Sequence, residues 1–540
     1  MKETDQGESH VQTATTGFGR RDFMKMGVGA GLVVSQALGS PLEAQEGTRA
    51  AAAGQGPRYN PAAWTERERY AGVEMTTRYG WKNDSGRASG NGPMDDTSKR
   101  LVEYIAGFTE ADLTPKLIDA CNNTMVDTIA SLVSGFESEP ARICARLART
   151  TRSDMKSTVL GYGIVTTPEL AAYANSSMIR HTDFNDHNSD MIGGVLAIAE
   201  AIHATGLQTM TAIVVAYQID QALGGAGGNS EGLDAGFYYT AGVAAGVGKL
   251  LGLNQDQLAN AISLALTLHV PIRVDRSNTL SMQKGCSTAD AARIGVYCTL
   301  AAKEGMTGPS RPFEGRDGIW DRLTGPYKQL RLPPAPLTTV GLTGFIKRRP
   351  AEGYTQATHE DILPTVRAWV KPEDIAAIHI EMSYSGWLEI ADPPKFDPLN
   401  RETADHSMPY EVARALLDGD VYVDSFTHDK ITDPAARALM QKMTVSANTE
   451  YAYGQTKMTV HNKTGEQLVK ETVNNRPGLN AGAAMTAEDI VAKYRRICEF
   501  IQIDKAQSER GLAQWANLRA VKDIAEPIQN LAKFGRPLAL

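Results

Sequence analysis

The feature that most constrains the fold is a change of apolar period along the chain. Between about residues 98 and 302, apolar residues recur every third or fourth position. Leu117, Cys121, Met125, Ile129 and Leu132 form one such face, Ile192, Val195, Leu196, Ala199 and Ile202 a second, and Leu258, Ile262, Ala265 and Leu266 a third. Spacing of this kind puts the apolar groups on one side of a helix. The many small residues here predict close helix packing, and the Gly-rich stretch Gly224–Gly236 predicts a helix break. Beyond a Pro-, Gly- and Arg-rich connection over 309–344, the pattern alternates instead. Ile378, Ile380 and Met382 predict a strand over 376–383, and further strands are expected over 443–452, 457–461 and 467–471. After a break at Asn475–Gly478 the helical spacing returns over 485–501, opened by Thr486 and Asp489 as a capping pair. The fold expected is mainly α with an α+β second domain. Its helical domain covers 98–345 and its α+β domain 346–478, with a C-terminal helical segment over 479–540 returning to the first. A chain of 540 residues exceeds what one core serves.

The first residues read as an address rather than as fold. Gly19-Arg20-Arg21-Asp22-Phe23-Met24-Lys25 precedes a modest apolar run from Met26 to Leu38, shorter than the roughly 20 residues of a membrane helix. The pattern resembles the twin-arginine signal, with Met24 where the consensus has Leu. It implies recognition by the twin-arginine export machinery, a signal peptide over 1–45 and a periplasmic or other extracytoplasmic destination. Residues 46–97 then form a linker and N-terminal extension.

The formal net charge of -7, with both signs interspersed, leaves no basic footprint, so nucleic acid is excluded as an expected partner. The five cysteines, Cys121, Cys144, Cys286, Cys298 and Cys498, include no C-x-x-C pair. That argues against a disulfide framework, a structural zinc site or an iron–sulfur cluster, and for buried inert thiols.

Three polar segments stand at predicted helix starts. In the first, Asp183, Asp186 and His187 precede the helix of 192–202, with Ser189 or Asp190 as its cap. A helix N-terminus suits a substrate carboxylate, and a carboxylate beside an imidazole suits acid–base work. In the second, Ser287 and Asp290 form a capping-box-like pair, with Lys284 ahead of it as a cation. In the third, Pro409 opens a short helix ending at Gly419, with His406, Ser407 and Tyr410 around its start. A cationic run, Lys347-Arg348-Arg349, lies at the domain junction, where ligands favour binding.

At these segments the chain resembles the MmgE/PrpD family over roughly residues 98–505. Asp183-Phe-Asn-Asp186 with His187-Asn-Ser-Asp190 is similar to the family's first signature. Ala292-Arg-Ile-Gly295 with Phe313-Glu-Gly-Arg-Asp-Gly318 is similar to the second, and Arg401–Tyr410 to the third. The resemblance implies a helical domain completed by the C-terminal helix, an inserted α+β lid, a site between them, a homodimer, and no metal or organic cofactor. Members include 2-methylcitrate dehydratase, cis-aconitate decarboxylase and iminodisuccinate epimerase. It further implies Asp183, His187, Lys284, His406 and Tyr410 as catalytic residues. Lys347 at the lid entrance is the implied substrate-binding residue, and Arg348, Asp186, Ser189 and Tyr238 are the further substrate-binding candidates of these segments. The chain lacks the family's loop between Asp186 and His187, has Asn188 for Pro, and has tyrosines in Gly236–Thr240 where decarboxylase-like members have a histidine. The last difference favours dehydration of a small polycarboxylic hydroxy acid of the 2-methylcitrate type. Epimerase, isomerase or decarboxylase chemistry on a related acid, or an exported non-catalytic carboxylate-binding protein, are the alternatives.

Overall fold

The computed structural model describes residues 93–227, 232–324, 329–336, 342, 345–473 and 485–534. The signal segment over 1–45, the linker before residue 93 and the break at Asn475–Gly478 lie outside the described residues.

The helical body contains α1 (Asp96–Gly107), α2 (Pro115–Gly135), α3 (Glu139–Ala148), α4 (Pro168–His181), α5 (Ile192–Ala201), α6 (Gly206–Gly227), α7 (Gly236–Leu250), α8 (Gln255–Leu268) and α9 (Gln283–Lys303). A two-stranded antiparallel hairpin, β1 (Ser157–Val159) and β2 (Ile164–Thr166), sits between α3 and α4. Each apolar face read from the spacing is an inner face: Leu117, Cys121, Met125, Ile129 and Leu132 are all buried. α9 lies against both α4 and α7, and α6 packs on α7. Glycines permit the approach, since a Cβ on Gly295 would stand 2.7 Å from the Val243 side chain.

Some sequence expectations need correction. α6 runs through Gly224 and Gly225 to Gly227. Buried Leu223 and Ala226 hold this turn, so packing overrides the low helix propensity of glycine. The 443–452 strand stops at Asn448, whose Oδ1 accepts from Glu450 N at 2.9 Å and turns the chain.

The α+β domain is built on a four-stranded sheet of order β4-β3-β5-β6. Its strands are β3 (Ile375–Ser383), β4 (Met443–Asn448), β5 (Thr456–Asn462) and β6 (Gln467–Glu471). β3 runs parallel to β4 and antiparallel to β5, pairing Ile380 with Val445 and with Met458. Ile378, Ile380 and Met382 point into a core shared with α10 (Leu363–Trp369), α11 (Tyr384–Ile390), α12 (Met408–Asp418) and α13 (Pro434–Met440). This core is separate from that of the helical body.

The C-terminal helices α14 (Ala487–Phe500) and α15 (Lys505–Trp515) rejoin the first core, with α14 against α2. Thr486 and Asp489 form the expected capping box on α14. The α+β domain is therefore an insertion in the helical body. Among the described residues no helix is long and apolar enough to cross a membrane.

Candidate active site

The Asp183 segment joins α4 to α5 through a tight turn. α5 is not capped by Ser189 or Asp190; a 3-10 turn, His187–Met191, intervenes, and Asp186 caps that turn by accepting from Asn188 N at 3.2 Å. Ser189 Oγ and Asp190 Oδ1 are instead taken up by Asn185 Nδ2, at 2.9 and 2.8 Å. Asp183 adopts φ +53°, a left-handed conformation that costs most residues free energy and that Asp tolerates better than most.

Asp183 is fully buried, and its carboxylate joins the two domains. Arg180, one turn back on α4, bonds Oδ1, and Lys347 Nζ from the domain junction donates to Oδ2 at 2.8 Å. Burial would raise this carboxyl, but Arg180, Lys347, His406 and Lys284 outweigh it and hold it well below the usual range. Asp183 is thus an ionised carboxylate bonded to Arg180 on one oxygen and Lys347 on the other.

Lys284 lies within the first turn of α9, not ahead of a cap, because that helix starts at Gln283. Ser287 and Asp290 are thus interior helix residues: Ser287 Oγ reaches Asp234 at 3.4 Å, and Asp290 receives Arg293 at 2.6 Å. Lys284 Nζ donates to Asp405 Oδ1 at 2.5 Å, and both side chains are fully buried. Burial lowers the ammonium pKa, opposed by Asp405 and Asp183. His406 Nδ1 shares the same Asp405 oxygen at 2.9 Å. Burial and then Lys284 push its imidazole down to about 3, so it is neutral at pH 7.

His187 is the accessible member, with 30% of its side chain exposed. Its Nδ1 lies 2.6 Å from Tyr239 Oη. Burial, Arg180, Arg276 and Lys347 hold it well below the ordinary imidazole range, against a weaker pull from Asp234. The ring is neutral at pH 7, with Nε2 left to exchange a proton.

Asp183, His187, Lys284, Lys347 and His406 are thus linked in one electrostatic neighbourhood. The other expected residues sit differently. The hydroxyl reaching His187 belongs to Tyr239, not Tyr238: consecutive helix residues point about 100° apart. Tyr238 instead packs on Phe237. Tyr410 is buried in the core of the inserted domain and donates to Ser425 O at 2.6 Å, which commits its proton to a carbonyl. Arg348 turns to Asp489, at 3.1 Å. Asp186 is buried, accepts from Tyr217 Oη at 3.0 Å, and is pushed up to about 7 chiefly by burial. Ser189 is fully buried.

Sequence reasoning missed Arg180, Tyr239, Asp405 and the pair Asp127–Lys493. Lys493 Nζ donates to Asp127 Oδ1 at 2.6 Å, to Phe184 O and to Lys347 O at 2.9 Å, so it anchors the backbone beside Asp183 and at Lys347. A signal existed: Lys493 falls on the buried face of α14 with Ile490, Tyr494 and Ile497.

The domains are also joined along the α8–α9 loop. Arg273 reaches Glu389 at 2.6 Å, Lys395 reaches Asn278 O at 2.8 Å, and Asn400 reaches Leu280 O at 2.7 Å. Among the described residues no group of three or more His, Cys, Asp or Glu is placed to hold a metal ion, and the five cysteines are buried and unpaired.

Family models match both parts of this architecture. The MmgE/PrpD N-terminal domain covers residues 99–330 and the MmgE/PrpD C-terminal domain residues 350–517. The chain belongs to the MmgE/PrpD family. Similar members include the 2-methylcitrate dehydratase of Cupriavidus necator, 28% identical over 65% of this chain and 77% of that protein. The mitochondrial 2-methylcitrate dehydratase of Yarrowia lipolytica is 27% identical over 67% and 73%. The human cis-aconitate decarboxylase is 24% identical over 65% and 76%. Within this MmgE/PrpD chain, the matched N-terminal domain supplies Asp183, His187 and Lys284, and the C-terminal domain supplies Asp405 and His406.

Proposed function

We propose that this MmgE/PrpD protein is a hydro-lyase that removes water from a polycarboxylic hydroxy acid of the 2-methylcitrate type. The observation that carries this reading is His187: a partly exposed imidazole held on Tyr239 and 4.0 Å from Asp190, whose carboxylate also faces Arg180 of the Lys347–Asp183–Arg180 chain. Lys347 and Lys284 bind the carboxylates and stabilise the charge that develops when the α-carbon loses its proton. His187 Nε2 takes that proton. The electron pair closes the double bond, and the hydroxyl leaves with a proton from Lys284, whose ammonium is made more acidic by burial. Asp183, bonded to both Arg180 and Lys347, orients Lys347, and the base role goes to His187 in this reading. Closure of the inserted domain excludes water.

The test is the purified protein with 2-methylcitrate, citrate and cis-aconitate. Ultraviolet absorbance of the conjugated product and loss of 2-methylcitrate support the reading. Release of carbon dioxide from cis-aconitate instead replaces it with decarboxylation, and ligand-induced stabilisation without turnover replaces it with a binding protein. Activity that survives dialysis against a chelator supports a cofactor-independent reaction. We propose further that Arg20 and Arg21 direct export and that the protein is a homodimer. Retention of an Arg20→Lys, Arg21→Lys variant in the cytoplasm supports the first, and a light-scattering mass of two chains supports the second.

A further inference from the structure

The inserted domain carries a cleft of about 610 Å³ between α10, α12 and α13, and none of the residues lining it belongs to the candidate active site. The volume is of the size that small-molecule sites occupy. α13 faces the space with Ala435 and Ala438, both exposed, whose methyl groups leave it open. The floor is aliphatic. Val370, Leu416 and Leu439 are buried in the core of this domain, and Leu417 is partly buried beside them. Among the described lining residues there is no aromatic ring and no hydroxyl. The rim is cationic: Arg367, Lys371 and Lys442 stand there against the single carboxylate of Glu373 among the described lining residues. Two of these cations are positioned by carbonyls. Arg367 Nη1 donates to Gly419 O at 2.9 Å, and Lys442 Nζ to Ile375 O at 2.6 Å. Gly419 ends α12 at φ +101°, and a Cβ on it would stand 3.0 Å from Arg367 Nη2, so the guanidinium lies directly on this turn. A carbonyl holds a cation in place without neutralising it. The acids on either side of Gly419 are bonded to other cations, Asp418 to Arg414 and Lys430, and Asp420 to Arg349. Charge of one sign above a low-dielectric floor concentrates the field in a cleft.

We infer that this cleft is a second ligand site, and that it takes an amphipathic anion: a free carboxylic acid with an unbranched aliphatic chain. The carboxylate sits at the rim, where Arg367 and Lys371 give charge-assisted hydrogen bonds. The chain lies on Leu416, Leu417 and Leu439, where leaving water favours binding. Both parts are required. A short acid reaches the rim without covering the floor, and a neutral chain covers the floor without answering the cations. The inference does not rest on the dehydratase reading, because the cleft shares no residue with that site.

The experiment is calorimetric titration of the full chain with octanoate, octan-1-ol and acetate. Octanoate should bind at least about tenfold more tightly than either of the others. Arg367→Gln with Lys371→Gln should weaken octanoate by at least about tenfold and change octan-1-ol by less than about twofold. Ala438→Glu places a carboxylate on the apolar wall and should weaken octanoate by a similar factor. His187→Gln should bind octanoate as the wild type does, since the catalytic imidazole lies outside the cleft. Should the double variant fail to fold, Lys371→Gln and Ala438→Glu, both at exposed positions, carry the same direction of effect. Absence of saturable octanoate binding, equal affinity for the acid and the alcohol, or octanoate binding untouched by the cleft variants overturns the inference. So does octanoate binding lost in His187→Gln, which would put the acid in the active site. Binding of phosphatidylglycerol vesicles without binding of free octanoate overturns it as well, because the surface would then read a lipid bilayer rather than a free acid.

Discussion

Replacing Lys493 by methionine tests the claim that the C-terminal helix holds the site together. Methionine keeps the aliphatic stem and deletes the ammonium, and with it the bonds to Asp127, Phe184 O and Lys347 O. Asp127 is fully buried and retains only the donation from Asp186 N at 3.2 Å. Removing one member of such a pair costs about 3–5 kcal/mol, mostly from the stranded charge. With an unfolding entropy of roughly 2 cal/mol/K per residue, a chain of this size loses about 3–5 °C in Tm. The loss should depend on pH. Burial already raises the Asp127 carboxyl, and Lys493 is the main group lowering it. Without the lysine, the folded-state value climbs further above the unfolded value of about 3.9. The folded variant then keeps a proton that the unfolded chain releases. It therefore loses stability as pH rises above about 4 and lies closer to the wild type in acid. Adding Asp127→Asn should recover most of the Tm while leaving turnover low, since the Lys347 and Phe184 carbonyls stay unanchored. Scanning calorimetry from pH 4 to 8, with initial rates at each pH, provides both readouts. A single variant within about 0.5 kcal/mol of the wild type at pH 7, or a double variant less stable than the single one, would refute the reasoning.

His187→Gln should lower kcat by about 10²–10⁴-fold with little change in Tm, because the side chain is partly exposed; full activity would remove His187 from the mechanism. The acid limb of kcat/KM in the wild type should fall below the ordinary imidazole value of about 6.5, because the catalytic form is the neutral ring and its surroundings disfavour the cation. A limb at or above that value contradicts the assignment. Tyr239→Phe should reduce kcat by roughly tenfold and leave KM near its original value, since it frees the imidazole tautomer without touching the carboxylate anchors; a change confined to KM would place Tyr239 on the substrate. Glu352, whose carboxyl burial and then Glu389 push up to about 7, binds a proton when folded that it releases when unfolded. Wild-type stability should thus decline between about pH 4.3 and 7 relative to Glu352→Gln, and parallel stability–pH curves for the two proteins would show that reading to be mistaken.

The order of elements was legible because apolar period depends on local geometry: a repeat every three or four residues in α2 and α14, every two in β3. Positions set by tertiary contact were less so. The start of α9 at Gln283 was hidden because Ser287 and Asp290 satisfy a local capping pattern, yet their side chains go to Asp234 and Arg293. Tyr238 and Tyr239 are equivalent as letters, and only the phase of α7 decides which meets His187. Lys284 and His406 stood out near helix starts, and Lys347 in a cationic run at the domain junction. Their carboxylate counterparts Asp405 and Asp127 did not, because a buried acid is recognisable only once its partner is placed beside it.

Because the α+β domain is an insertion, the helical body is assembled from two stretches of chain far apart in sequence, yet bonded to each other through the core around α2 and α14 and through Asp127 and Lys493. A protease that nicks one exposed peptide bond in the insertion should therefore yield two fragments on a denaturing gel but a single species under native conditions. The fragment that begins inside the insertion would carry Lys493 with it, so each piece alone would lack half of the ion pair that pins the backbone at Phe184 and Lys347.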